Sequence, residues 1–323
     1  MVYDVIIIGG SAAATSAGIY AARRNLNFKI ITKEFGGEVA TSGEIGNWPG
    51  VNHTDGIALA QQFKEHLAYY QVEPEEGIEV EKIIRQDSGL FCITTKTDGI
   101  SMAIEKLEEK SEPAMKCDYE AKTVIATTGV HPRELGVPGE REFRNKGVSY
   151  CSVCDMPLFA GKTVATIGGG NSALESALMG ADIAEKVYLI NKNPQFKGEQ
   201  ILIDNLLQKK NVEIIYSAKT KEINGNEFVT GLKYTDQMEN VRELTVAGIF
   251  VHIGMMPNSG IVPAGTEKNQ FGEIMVNKNC ETNIPGLYAA GDVTDVPHKQ
   301  IIIAAGQGTI ALLSAVNYLN RLK

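Results

Sequence analysis

The sequence predicts an α/β protein assembled from two nucleotide-type βαβ units. Three observations carry this. The chain opens on a strand, a glycine turn and a helix. The same pattern returns with its turn at Gly168, 159 residues after Gly9. At 323 residues the chain has room for about two domains of roughly 150 residues each.

In order along the chain, Val5 to Ile8 is a short apolar run that stops at Gly9 and reads as a strand. Ala12 to Ala22 is alanine-rich with apolar residues at helical spacing, and Phe28 to Thr32 reads as the next strand. Thr94 to Lys116 contains EKLEEKSEP and reads as a solvated hairpin or surface excursion with no assigned chemistry. Thr163 to Ile167 is a strand, Gly168 to Gly170 a turn, Asn171 to Ala184 a helix and Val187 to Asn191 a strand. Near the C-terminal end, ETNIPGLYAAGDV closes a strand at Gly291-Asp292, ahead of an alanine-rich helix from Gln300 to Leu319. The duplication is architectural, since no short repeat period is present.

Composition narrows the function classes. Hydrophobic residues make up 43% and charged residues 22%, ordinary for a globular protein and unlike disordered or fibrous chains. No uninterrupted apolar run reaches the ~18 residues of a membrane span. MVYDVIIIGG lacks the basic n-region of a signal peptide, so a cytoplasmic location is expected. A net charge of −8 disfavours nucleic-acid binding. Glycine is in excess, 33 residues, which asks where the backbone must come close to something.

Two turns match G-x-G-x-x-G/A, in which the glycines permit a tight turn and close approach of pyrophosphate to a helix N-terminus. In the first, Gly9, Ser11 and Ala14 fill the three positions, and Glu34 follows where a ribose-binding acid is expected. Ser11 departs from the pattern: its hydroxyl can donate to phosphate, but its Cβ needs space. In the second, Gly168, Gly170 and Ala173 fit cleanly. The end of the following strand selects between NAD, by an acid, and NADP, by arginine. Asn191, Lys192, Asn193 and Lys197 offer neither signature. At the C-terminal strand end, Asp292 is placed to accept hydrogen bonds from a polyol chain. The following helix N-terminus is placed to stabilise negative charge. A flavin offers both groups; an ordinary turn before a core helix is the alternative.

Of five cysteines, Cys92, Cys117 and Cys280 are scattered and read as small buried hydrophobes. Cys151 and Cys154 form C-x-x-C, followed directly by Asp155. Two intervening residues permit a disulfide that opens and closes, with Asp155 placed to exchange a proton with a leaving thiolate. The alternatives are an inert buried pair and structural zinc. Zinc lacks support, because there is no second C-x-x-C and the five histidines form no H-x-x-x-H; no metal is expected.

Together these motifs closely resemble the low-molecular-weight thioredoxin reductase family and its relative, the flavoprotein subunit of alkyl hydroperoxide reductase. The matching pieces are IIIGGSAAAT, GGEVATSGEIGNWPG, ATTGVHPRELGVPGE, GVSYCSVCD, GGGNSALESAL, IGMMPNS and TNIPGLYAAGDVTDVPHKQI, in family order from Val5 to Gly308. The resemblance implies two Rossmann-like dinucleotide-binding domains, an NAD(P)-type domain (131–247) inserted into a discontinuous FAD domain (1–130 and 248–323). It implies FAD contacts at Gly9, Gly10, Ser11 and Ala14, along Glu34, Gly37, Glu38 and Asn47, and at Gly291, Asp292, Lys299, Gln300 and Ile301. It implies nucleotide contacts at Gly168, Gly170, Asn171, Ser172, Ala173, Asn191 and Lys192. Its redox pair maps to Cys151 and Cys154 and its acid to Asp155, with Cys154 facing the flavin and Cys151 attacking the partner.

The implied activity carries electrons from NADH or NADPH through FAD and the cysteine pair to a thioredoxin- or glutaredoxin-like protein, in a homodimer, with rotation of the inserted domain between two states. The chain departs from the family at Ser11, Glu38, Thr127 and Met156. The H-R-R…R of NADPH-using members is NKNPQFK here, and the acid of NADH-using relatives is missing as well; a nicotinamide donor is expected, NADH somewhat ahead of NADPH. Two rivals remain: a ferredoxin-linked flavin reductase that ignores pyridine nucleotides, and a non-enzymatic flavin redox sensor.

Overall fold

The computed structural model of the chain describes residues 1–42, 44–96 and 117–322, the side chains of Glu44 and Cys154 excepted. The excursion expected at Thr94 to Lys116 therefore lies, from residue 97 on, outside the described residues.

The chain begins with β1 (Val2–Ile8), α1 (Ala12–Arg23) and β2 (Phe28–Ile31). Ser11 is the N-cap residue of α1, and Asn25 at φ 51° provides the left-handed residue that ends it. α2 (Gly56–Tyr69) starts at Asp55, whose carboxylate accepts the Ala58 N–H at 2.8 Å. β3 (Val80–Arg85), β4 (Phe91–Thr95) and β5 (Tyr119–Ala126) follow.

Next come β6 (Val148–Ser149), α3 (Ser152–Asp155), β7 (Thr163–Ile167), α4 (Asn171–Ile183) and β8 (Lys186–Ile190). α5 (Gln200–Leu207) leads to β9 (Val212–Ile215). An antiparallel sheet of β10 (Lys219–Gly225), β11 (Val229–Thr235) and β12 (Val241–Thr245) precedes β13 (Gly248–Val251). The chain closes with β14 (Leu287–Ala289) and α6 (Ile301–Arg321). Both expected βαβ patterns are thus present, with boundaries within a few residues of those read from the sequence.

Two compact units result: Met1–His131 with Met256–Lys323, and Pro132–Met255. The chain leaves the second unit at 255/256 rather than at 247/248 as expected. The reason is strand pairing: β13 lies parallel to β7, with Val164 opposite Gly248 and Ile167 opposite Val251, so it belongs to the second sheet.

The first unit is built on a six-stranded sheet of order β2-β1-β5-β4-β3, with β14 beside the C-terminal half of β5. β1 runs parallel to β2 and β5, whereas β3, β4 and β5 pair antiparallel. Alternation along β1 splits the core: Val5 and Ile7 pack toward α1 and α6, Ile6 and Ile8 toward Ile83, Phe91 and Ile93. α6 is long and apolar enough to cross a membrane by length and composition. Its Ala311, Leu312, Ala315 and Leu319 are buried in the cluster with α1.

The second unit holds a five-stranded parallel sheet of order β9-β8-β7-β13-β6. Ala165 and Ile167 of β7 face one core cluster, while Val164 joins Ala173, Leu174 and Ala177 of α4 in the other.

One expectation is corrected. Cys92 and Cys117 are not separate buried thiols but a disulfide, with Cα atoms 5.3 Å apart. Strand pairing brings them together: Cys92 lies in β4 opposite Glu120, and Cys117 enters β5 two residues before Tyr119. Cys280 is the buried free thiol expected, 2% exposed, and burial pushes it up to about 11.

Candidate active site

In the first unit the glycine turn joins β1 to α1. Gly9 has φ +131°, and a Cβ there would lie 2.2 Å from the Thr127 carbonyl oxygen, so only glycine fits. Ala14 is fully buried, which gives the third motif position its packing role. Ser11 makes no side-chain hydrogen bond to the helix it starts, and the first turn of α1 carries no acid. That helix end therefore presents free N–H groups and partial positive charge.

The 34–38 loop is tied to this turn, since Gly36 N–H donates to Gly10 O at 2.6 Å. A Cβ at Gly37 would stand 3.4 Å from that of Ser11. Glu34 and Glu38 are exposed beside it, and Glu38 accepts from Thr41 Oγ1 at 3.2 Å. Asn47 is exposed and donates to Gln300 Oε1 at 3.1 Å, which joins it to the start of α6.

The other end of the same unit contributes Gly291, Asp292, Lys299, Gln300 and Ile301. Gly291 N–H donates to Gln307 Oε1 at 2.8 Å. Gln300 caps α6 from an extended conformation without a side-chain bond to the helix, leaving the amides that begin at Ile301 open. Lys299 pairs with Glu273 at 2.8 Å and donates to Thr294 O.

Asp292 Oδ1 is buried and has no hydrogen-bond partner among the described residues. Burial pushes this carboxyl above the usual range; Lys299 opposes the shift and Glu38 adds to it. A buried acceptor without a partner is rare and points to a donor supplied from outside the chain. A tight glycine turn, an open helix start and an orphaned acceptor near a second open helix start fit the pyrophosphate, hydroxyl chain and ring of FAD.

In the second unit the turn between β7 and α4 repeats the logic. Gly168 has φ +150°, and a Cβ there would meet His252 O at 2.1 Å, whereas a Cβ on Gly170 would meet nothing within 4 Å. That open space lies at the start of α4, where pyrophosphate would sit. Ala173 is fully buried and Ser172 exposed.

Asn171 and Glu199 clasp each other, Asn171 Nδ2 donating to Glu199 Oε1 and Glu199 N–H to Asn171 Oδ1, both at 2.8 Å. Asn191 is 1% exposed; its Nδ2 donates to Gln195 O at 2.9 Å and its Oδ1 accepts the Asn193 N–H at 3.1 Å. Its side chain thus closes its own loop. Lys192 is exposed.

Cys151 is disulfide-bonded and is the N-cap residue of the one-turn α3. The side chain of Cys154, in α3, lies outside the described residues. Ser149 Oγ donates to Asp155 Oδ2 at 2.6 Å and accepts the Cys151 N–H at 3.0 Å. This hydroxyl places the acid against the backbone of the cysteine turn. Sequence reasoning missed Ser149 and His252 behind Gly168, and it named Thr127 as a departure from the family without placing it behind Gly9. Each comes into place through a strand neighbour or a turn rather than a motif.

The pyridine nucleotide-disulphide oxidoreductase family model matches residues 3–308. An alkyl hydroperoxide reductase subunit of Escherichia coli (strain K12) is 41% identical over 323 residues, which cover 99% of this chain and 59% of that protein. The NADH dehydrogenase of Bacillus subtilis (strain 168) is 38% identical over 320 residues, 99% of this chain and 59% of its own length. The chain thus spans about three fifths of the length of the curated relatives it matches. The crystal structure of thioredoxin reductase from Streptococcus pyogenes MGAS5005 superimposes with a TM-score of 0.78 at 33% identity, covering 99% of each chain. With the glycine turns, the orphaned aspartate and the bonded cysteine in place, these matches show that the chain belongs to the pyridine nucleotide-disulphide oxidoreductase family, whose enzymes use FAD and NAD(P)H.

Proposed function

We propose that the chain is a dithiol–disulfide oxidoreductase. It takes reducing equivalents from a pyridine nucleotide, NADH ahead of NADPH, and passes them to the disulfide of a thioredoxin- or glutaredoxin-like protein. Bound FAD supplies the chemistry that connects a two-electron nucleotide donor to a disulfide.

In the first unit, Gly9, Gly10, Ser11 and Ala14 hold the pyrophosphate at the start of α1, with Glu34, Gly37, Glu38 and Asn47 alongside. Asp292, beside Gly291, accepts from the hydroxyl chain. Lys299, Gln300 and Ile301 bring positive charge and open amides to the ring. In the second unit, Gly168, Gly170, Asn171, Ser172 and Ala173 receive the nucleotide pyrophosphate, with Asn191 and Lys192 at its edge. Cys151 and Cys154 exchange with the partner: two electrons and two protons convert their disulfide to the dithiol, whose electrons then reduce the partner's disulfide. Asp155, set by Ser149, gives and takes the thiol proton.

The observation that carries this reading is the disulfide at Cys151, one turn from an acid already hydrogen-bonded into place. Asn191 is neither the acid nor the arginine that would select a donor; the preference for NADH rests on the name of the Bacillus relative, which carries NADH.

The test is anaerobic mixing of the yellow protein with NADH and with NADPH. Loss of the flavin's visible absorbance with either supports the reading. Persistent colour with both, and bleaching by reduced ferredoxin, would assign the chain to the ferredoxin-linked class. Cys154→Ser should leave bleaching intact and abolish disulfide turnover. Surviving turnover overturns the proposed path, and oxidation-dependent partner binding without repeated turnover identifies a sensor.

A further inference from the structure

Behind the cysteine turn runs a row of polar side chains to which the reaction above assigns no role. His252 lies one residue past β13. Its N–H donates to Ile167 O at 2.8 Å, and its carbonyl fills the space beside Gly168, so its backbone is fixed against the second glycine turn. Its ring Nε2 lies 2.6 Å from Ser152 Oγ, which lies 2.6 Å from Ser176 Oγ of α4. Ser176 Oγ is in turn 3.3 Å from Thr166 Oγ1 of β7. Ser152, Ser176 and Thr166 are 6%, 3% and 0% exposed.

Ser152 is the first residue of α3 and the neighbour of Cys151. A hydroxyl both donates and accepts, so the row is satisfied in either direction. Nε2 starts it as donor in one imidazole tautomer and ends it as acceptor in the other. Each of the three hydroxyls left alone would be a buried polar group without a partner, costing about 1–3 kcal/mol. The four groups therefore act together, and they join three elements, β7, α4 and α3, to the residue that backs the glycine turn.

We propose that His252 is a positioning residue for the dithiol centre: through Ser152 it pins the first turn of the helix that follows Cys151 to the scaffold of the second glycine turn. This rests on the reading of Cys151 and Cys154 as the exchanging pair. The row is intact in a structure whose Cys151 is disulfide-bonded. Its loss removes support from that state and shifts the pair toward the dithiol.

The experiment equilibrates the flavin-loaded protein in glutathione redox buffers, quenches by alkylation and reads the peptide bearing Cys151 and Cys154 by mass. The reaction balances as protein disulfide plus two glutathione thiols giving protein dithiol plus glutathione disulfide. His252→Leu and Ser152→Ala should each shift the equilibrium toward the dithiol by about tenfold, about 30 mV for a two-electron couple. The double variant should move no further than the larger single one. His252→Gln, which restores a polar head, should recover most of the shift.

Midpoints within twofold of wild type for both single variants, or simple additivity in the double, overturn the inference. If His252→Leu does not fold, Ser152→Ala and Ser176→Ala carry the same test. No nucleotide donor or partner protein enters the assay, so the outcomes separate. A wild-type pair that does not exchange overturns the functional reading and this inference together. A pair that exchanges but ignores the variants overturns only this inference.

Discussion

The Cys92–Cys117 disulfide offers a perturbation whose size follows from chain length. The two residues are 25 apart in sequence. Closing a loop of that length removes entropy from the unfolded chain worth about 3–4 kcal/mol at 25 °C. Cys117→Ser opens the loop with little loss of packing, because Cys117 is half-buried while Cys92, 1% exposed, stays in place. The folded contacts around it are otherwise retained: Thr95 still donates to Asp118 through its N–H at 2.8 Å and its hydroxyl at 3.0 Å.

The assay is hydrogen exchange of β4 and β5 amides across a urea series, since two compact units need not unfold together. We expect the opening free energy of these strands to fall by about 3–4 kcal/mol, with exchange in the second unit unchanged. A fall below about 1 kcal/mol, the scale of a single hydrogen bond, would falsify the loop-entropy reasoning. Recovery of separate, unlinked peptides from the non-reduced wild type would remove the bond itself.

Acid offers a second handle. Burial holds the His252 imidazole down at about 4, against 6.5 in the unfolded chain, so the unfolded state binds this proton first. This contribution to stability is complete above pH 6.5, declines as pH falls toward about 4, and is constant below; the full gap is worth about 3 kcal/mol. Chemical unfolding at pH 7 and pH 4.5 should show a smaller acid loss in His252→Gln than in wild type, and equal losses would refute the assignment. Asp292→Ala should weaken flavin retention by about 10–100-fold, from loss of a charged acceptor worth about 1.5–3 kcal/mol. Equilibrium dialysis reads this, and unchanged retention would show that the orphaned oxygen faces no ligand donor. Gly9→Ala places a Cβ 2.2 Å from Thr127 O at φ +131°, and we expect a colourless protein with a lowered melting temperature. A yellow variant melting with wild type would mean that the turn yields.

The two βαβ units, both glycine turns, the C-x-x-C with its acid and the helix at the C-terminal end were all legible in the sequence. Each is encoded within about 30 residues. A glycine needed for a positive φ, an alternating strand or a 3.6-residue helical period depends on near neighbours alone. The residue at the end of β8 was legible as neither acid nor arginine, but not that its amide closes its own loop through Gln195 and Asn193.

Other features were settled by pairings between distant segments. β13 joins the second sheet because its register with β7 places it there, which moves the boundary to 256. Cys92 and Cys117 meet because β4 and β5 are antiparallel neighbours, although cysteine spacing alone read them as solitary. Asp292 becomes an orphaned acceptor only once burial removes water and the described residues supply no donor. His252 reaches Ser152 across 100 residues of sequence because β13, β7 and α4 lie side by side in one unit. Local pattern dictates backbone conformation, since that depends on dihedral sterics and short-range hydrogen bonds. Which side chains share a buried space depends on strand order and register, and those emerge when the whole sheet assembles.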